Sequence, residues 1–137
     1  MELKVKKKIV QRPEEVVEIF RSIQKAEHEI DRMKERLWVV GLDVRKRIVY
    51  VELVAMGTLT ACLVQVREVF RFAIIRAVAE ILVVHAHPSN DPEPSEDDLA
   101  ITKRLSEAGK ILGIELLDHI IVTHGSAFTS FKAEGKL

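Results

Sequence analysis

Hydrophobic residues along this chain fall into runs whose period changes several times. Residues 2–10 alternate loosely between apolar and polar, which predicts an edge strand. From Pro13 the period lengthens. Ile19, Ile23, Ala26, Ile30 and Met33 recur at helical spacing, so one stripe of a helix is expected to be buried. Pro13 stands near the first position of that helix and Glu14 and Glu15 in its first turn, where the helix dipole favours acids. "LWVVGLD" and "RIVYVELVAMG" read as two strands around a turn at Asp43 to Lys46. "REVFRFAIIRAVA" reads as a second helix with Phe70, Ile74 and Ala77 on one face. "EILVVHAH" is a continuous apolar run, the type buried on both sides of a sheet. A third helix is expected from about Ser95 to Leu112, stopped by Gly113. The tail "IELLDHIIVTHGSAFTSF" reads as a hairpin turning at His124-Gly125.

Strands alternating with helices predict an α/β protein, a single sandwich around one mixed sheet. At 137 residues the chain is expected to form one domain over 1–137, with residues 1–33 supplying a strand and helix packed on it. Apolar residues make up 47% and charged ones 31%, which excludes a disordered chain. No apolar run approaches the ~18 residues of a membrane span, and no signal-peptide pattern opens the sequence. Cys62 is the single cysteine, so an intrachain disulfide is impossible, and a reducing cytoplasmic compartment is the default expectation. Basic and acidic residues balance at 21 each, which leans against nucleic acid as the main ligand. Lys4, Lys6, Lys7 and Lys8 form the one local basic concentration, and a solvated edge strand explains them equally well.

The chemistry gathers where the buried strand ends. Residues two apart on a strand share a face, so His85 and His87 project side by side. Imidazole is the commonest zinc ligand. Seven residues, Pro88 to Pro94, then lead to Ser95 and Asp98 at the start of the next helix. Prolines 88, 92 and 94 restrict the unfolded loop and help hold its return path. Asp98 is thereby a candidate third ligand, leaving one coordination position open, the hallmark of catalytic rather than structural zinc. A capping reading competes: Ser95-x-x-Asp98 also matches a helix capping box, which needs no metal. Capping leaves the paired histidines unexplained; the metal reading accounts for all four residues. A hydrolytic site of this kind also needs a carboxylate to take the proton of a zinc-activated water and a donor aimed at the oxyanion. Ser95 suits the donor role; the base must come from elsewhere in the chain.

His85-x-His87-Pro88, six residues, Ser95, two residues, Asp98 resembles the metal signature of the JAMM (JAB1/MPN) metallopeptidase superfamily. The flanking "GTL", "VREVF", "HPSNDPEPSEDD", "LLDHIIV" and "FTSF" look like its RadC branch, from about Glu35 to the C-terminus. The resemblance implies a cytidine-deaminase-like (JAB1/MPN) α-β-α sandwich fold and a Zn2+ hydrolase cleaving a peptide or isopeptide bond in a protein substrate. It implies His85, His87 and Asp98 as zinc ligands, Ser95 as oxyanion donor, and Glu35, eight residues before Asp43, as general base. Position alone does not prefer Glu35 to Glu29, Asp31 or Glu68.

Ala86, Asn90 and Gln65-Val66 depart from the usual RadC pattern. Residue 86 points away from its histidine neighbours, and Asn90 tolerates a left-handed backbone that glycine would otherwise supply. Rival functions are a RadC-type role in DNA repair or other nucleic-acid transactions, and a metal-binding interaction module without turnover. The N-terminal strand and helix offer apolar surface for a homodimer. His119 is a candidate to support the site from behind its ligands, with a satisfied strand histidine as the plainer reading. His28 reads as lying on a polar helix face, His124 as a turn residue, Trp38 and Tyr50 as core or groove, and Cys62 as packing.

Overall fold

The computed structural model describes residues 2–3, 9–57 and 64–137, the first two through their backbone. Strand β1 (Glu2–Leu3) is followed by helices α1 (Pro13–Ala26) and α2 (Glu29–Arg32), then by strands β2 (Arg36–Leu42) and β3 (Ile48–Met56). Next come α3 (Val66–Ile75), β4 (Glu80–Ala86), α4 (Glu96–Leu112), β5 (Glu115–Val122) and β6 (Phe128–Ser130). The strands form one mixed sheet in the order β1-β3-β2-β4-β5-β6. β4 and β5 run parallel, as a strand–helix–strand crossover through α4 requires, and the other pairings are antiparallel. Cys62 and the Lys4, Lys6, Lys7 and Lys8 cluster lie outside the described residues, as does most of the expected edge strand; Ile9, at its end, bridges to Arg47.

Alternation along the central strands builds two cores. Leu37 and Val39 of β2, with Ile81 and Val83 of β4, face α3 and α4, where they meet Val69, Phe70, Ala73, Ile101 and Leu105. Trp38, Val40, Leu82, Val84 and Ala86 face the other way, against Val16, Val17 and Phe20 of α1. Phe20 meets Trp38 edge-on at 5.8 Å between ring centroids. Helices thus cover both faces, giving the expected α-β-α sandwich, and every β4 residue is buried, as its unbroken apolar run predicts.

The helical stripes differ from the expected ones. α1 buries Val16, Val17, Phe20 and Gln24, with Ile19 and Ile23 on its shoulders, while Ala26, Ile30 and Met33 are exposed. The helix ends at Ala26 because Glu27 adopts an extended backbone. His28 then caps α2, its Nδ1 accepting the Ile30 N–H, where the sequence suggested a polar helix face. In α3 the buried face is Val69, Phe70 and Ala73. Ile74 is exposed, and Ala77 lies past the helix end at φ 50°, so it shares no face with Phe70. Asn90 is not among the residues with positive φ, so no left-handed backbone needs explaining there.

Gly41 has a packing reason. A Cβ built there would fall 2.1 Å from the Tyr50 ring, which lies across the glycine on the neighbouring strand. Gly41→Ala is therefore expected to destabilise the chain by about 1–3 kcal/mol through overpacking, measurable by urea denaturation.

Candidate metal centre

Three segments converge at one end of the sheet. β4 delivers His85 on the α4 side, and His87 follows it two residues on. The β2–β4 register pairs Leu37 with His85 and Arg36 with Ala86, which carries Glu35, the residue before β2, toward His87. The loop from Pro88 returns to α4, whose N-cap is Ser95. Thr129 helps hold that return by donating to the Pro92 carbonyl at 2.8 Å. Asp98 sits in the first turn of α4, 2% exposed.

The capping box predicted as an alternative is formed. Ser95 Oγ accepts the Asp98 N–H at 3.0 Å, and Asp98 Oδ2 accepts the Ser95 N–H at 2.9 Å. It does not exhaust the aspartate. Oδ2 also lies 3.2 Å from His87 Nε2, and Oδ1 lies 2.8 Å from His85 Nδ1. One carboxylate therefore serves helix and histidines together, and the two sequence readings coexist. Among the described residues, Glu35, His85 and His87 form a group able to offer one donor atom each within 4.8 Å of one another. Glu35 Oε1 is 3.9 Å from His85 Nε2, on the side of that ring away from Asp98. The five predicted residues lie close, but the group within mutual ligand reach is Glu35, His85 and His87. Asp98, the expected third ligand, touches each histidine without belonging to that group, and Ser95 stands exposed at the rim.

The electrostatics call for a cation. The His87 Nδ1 lies 3.0 Å from the Asp91 carbonyl. A carbonyl only accepts, so Nδ1 carries the proton and the neutral ring turns the Nε2 lone pair toward the Asp98 carboxylate. Two acceptors at 3.2 Å repel unless a proton or a metal ion lies between them. Burial opposes the charged imidazole, but the Asp98 and Asp91 oxygens outweigh it and raise the His87 pKa, the direction that a proton between the two acceptors requires. Burial likewise opposes the Asp98 charge, yet the His85 and His87 rings and the Ser95 N–H hold its carboxyl far below the ordinary carboxylate range. Neither His85 nitrogen has an aligned hydrogen-bond partner among the described residues, because the close Asp98 oxygen lies off the N–H direction. An unsatisfied buried polar atom costs about 1–3 kcal/mol. Ligand atoms of a tetrahedral zinc, each about 2.05 Å from the ion, stand about 3.3 Å apart, and the 3.2 Å His87–Asp98 separation matches that spacing. With both His85 nitrogens unpartnered among the described residues, and an imidazole and carboxylates beside them, the donor set fits a metal ion.

A supporting layer lies behind the histidines: His119, which the sequence offered as a candidate for this place, and Thr102, which sequence reading missed. Thr102, one turn after Asp98, places its Oγ1 2.8 Å from the Asp98 carbonyl and 2.6 Å from His119 Nδ1. The helical spacing of Asp98 and Thr102 was the available signal. His119 is fully buried between the rings of His85, at 6.0 Å, and Phe131, at 4.4 Å. It is more than a satisfied strand residue, since it stacks on a histidine of the cluster and its Nε2 has no hydrogen-bond partner among the described residues.

Burial pushes the His119 pKa from 6.5 down to about 3. Between those pH values the unfolded chain binds the extra proton, so stability rises with pH. The His119 contribution is complete above about pH 6.5 and is lost as pH falls toward 3. In metal-free protein, wild type is therefore expected to lose more stability than His119→Gln between pH 7 and pH 5, read by urea denaturation at each pH.

The family model described as "RadC-like JAB domain" matches residues 10–136. A UPF0758 protein of Symbiobacterium thermophilum is 47% identical over 103 residues, covering 75% of this chain and 44% of the relative. One from Methanosarcina acetivorans is 43% identical over 105 residues, covering 77% and 45%. This chain thus spans less than half the length of these curated relatives. No helix among the described residues is long and apolar enough to cross a membrane. With a matched region that includes the histidine strand, the return loop and the capped helix, the chain belongs to the RadC-like JAB domain family, within the JAMM superfamily.

Proposed function

We propose that this chain is a zinc-dependent hydrolase of peptide or isopeptide bonds, with His85, His87 and Asp98 as ligands, Glu35 as general base and Ser95 as oxyanion donor. The observation that carries the proposal is the face-to-face placement of the His87 Nε2 lone pair and the Asp98 carboxylate, with the Asp91 carbonyl fixing the tautomer. A carbonyl-bound Nδ1–H is the usual support of a metal-ligating histidine. Two nitrogens and one carboxylate oxygen suit zinc better than a hard, all-oxygen cation.

Bound there, zinc supplies a Lewis acid and acidifies water at neutral pH. Glu35, with its side chain 30% exposed and beside His85, takes the proton of the attacking water and returns it to the leaving amine. Ser95 Oγ accepts from Asp98, so its hydroxyl hydrogen remains to donate toward an oxyanion. It does so at the N-terminus of α4, where the helix dipole favours negative charge.

The test is metal analysis of purified protein together with a panel of peptides and isopeptide-linked conjugates. One zinc per chain and turnover of at least one panel member are expected. Protein that neither carries nor takes up zinc would sink the reading. Zinc without turnover across a broad panel would favour the interaction-module alternative. The nucleic-acid alternative requires a steep salt slope in DNA binding, and the balanced net charge gives it little support.

A further inference from the structure

A cavity of about 280 Å³ opens between α1, α2 and the β5–β6 turn. α1 packs on the sheet face away from His85, so this cavity is separate from the metal-capable cluster. Gln24, Lys25, Arg32, His124 and Ser126 line it together with Arg21, and among the described residues no carboxylate does. Arg21 is neutralised by Glu18 at 2.7 Å, and its second amino group donates to the Ser126 carbonyl. Lys25 and Arg32 carry the remaining positive charge of the wall.

Two donors of the lining residues are unpartnered among the described residues. Gln24 is 8% exposed, and its amide nitrogen has no hydrogen-bond partner among the described residues; nor has Arg32 Nε. Behind them Arg36 is fully buried. Its Nη1 serves the Asp31 and Lys34 carbonyls, its Nε faces Glu27 at 3.0 Å, and its Nη2 has no partner among the described residues. Burial raises the Glu27 pKa against the Arg36, Arg32 and His124 charges around it. A chain with zero net charge thus gathers cationic and amide side chains around one small cavity, and two of their donors, Gln24 Nε2 and Arg32 Nε, have no partner among the described residues. Buried donors without acceptors cost free energy that a bound acceptor would recover.

We propose that this cavity binds a phosphate group. A planar carboxylate offers two oxygens, while a tetrahedral phosphate offers acceptors to several walls at once, matching guanidinium, ammonium, amide and imidazole donors on separate elements. The volume leaves room for a small substituent, so the source is either free phosphate or a phosphate ester.

The test follows amide chemical shifts of the full chain during titration with inorganic phosphate, dimethyl phosphate, acetate and chloride at matched ionic strength. Phosphate is expected to move Gln24, Arg32, Gly125 and Ser126, and Arg32→Gln and Lys25→Gln should each weaken it about tenfold, the scale of one charge-assisted hydrogen bond. Preference for inorganic phosphate marks a free or terminal phosphate, whereas an equal response to dimethyl phosphate marks a diester; either supports the site. An equal response to chloride or acetate, unchanged affinity in both variants, or shifts centred on His85, His87 and Asp98 would overturn it. Lys25 is exposed, so its variant tests the site even if Arg32→Gln fails to fold.

Discussion

Asp98→Asn is expected to strip the protein of zinc while leaving α4 in place. The substitution keeps an oxygen for the Ser95 N–H and a shape that fits the same 2%-exposed position, so the helix start survives. It removes the negative charge that faces both histidines at 2.8 and 3.2 Å. Loss of a ligand should cost more than the roughly 10–100-fold in affinity typical of a supporting partner. The measurement is competitive zinc titration with a chelator of known affinity, alongside circular dichroism. Unchanged zinc affinity would reduce Asp98 to a helix cap. Asp98→Ala should do both kinds of damage. Leaving a buried partner uncompensated typically costs about 3–5 kcal/mol, and here both the Ser95 N–H and the His87 ring would be left so.

Glu35→Gln is expected to separate chemistry from metal binding. If Glu35 is the base, zinc stays and hydrolysis falls about 10²–10⁴-fold, the usual worth of a positioned proton-transfer group. If instead Glu35 joins His85 and His87 as a ligand, an arrangement their mutual spacing within 4.8 Å also permits, zinc affinity falls together with turnover. Metal content and turnover of the same preparation separate the two. Retained zinc with wild-type turnover would remove Glu35 from the mechanism.

Local rules found much of the site and part of the fold. Period-two alternation placed His85 and His87 on one face, and the Ser95-x-x-Asp98 spacing located the start of α4, because both are properties of a few consecutive residues. Gly113, at φ 73°, ends that helix as expected. The stripe through Ile30 and Met33 failed for the complementary reason. No glycine or proline marks the end of α1. The chain turns at Glu27, whose carboxylate reaches Arg36, nine positions on, in a buried ion pair that no helical spacing foretells. The expected face of α3 failed similarly, since the helix ends at Ile75 and Ala77 turns left-handed beyond it.

By itself the sequence determined the strand and helix types, the paired histidines and the capped helix that carries Asp98, since each depends on backbone geometry over a single turn or pleat. Only the tertiary structure decided that Glu35 faces those histidines. That placement rests on the antiparallel register of β2 with β4, two segments some fifty residues apart, and hydrogen bonding across a sheet leaves no trace in local periodicity. The stacking of His119 behind His85, and the gathering of Gln24, Arg32 and His124 around one cavity, arise in the same way, from elements that meet only once both faces of the sheet are covered.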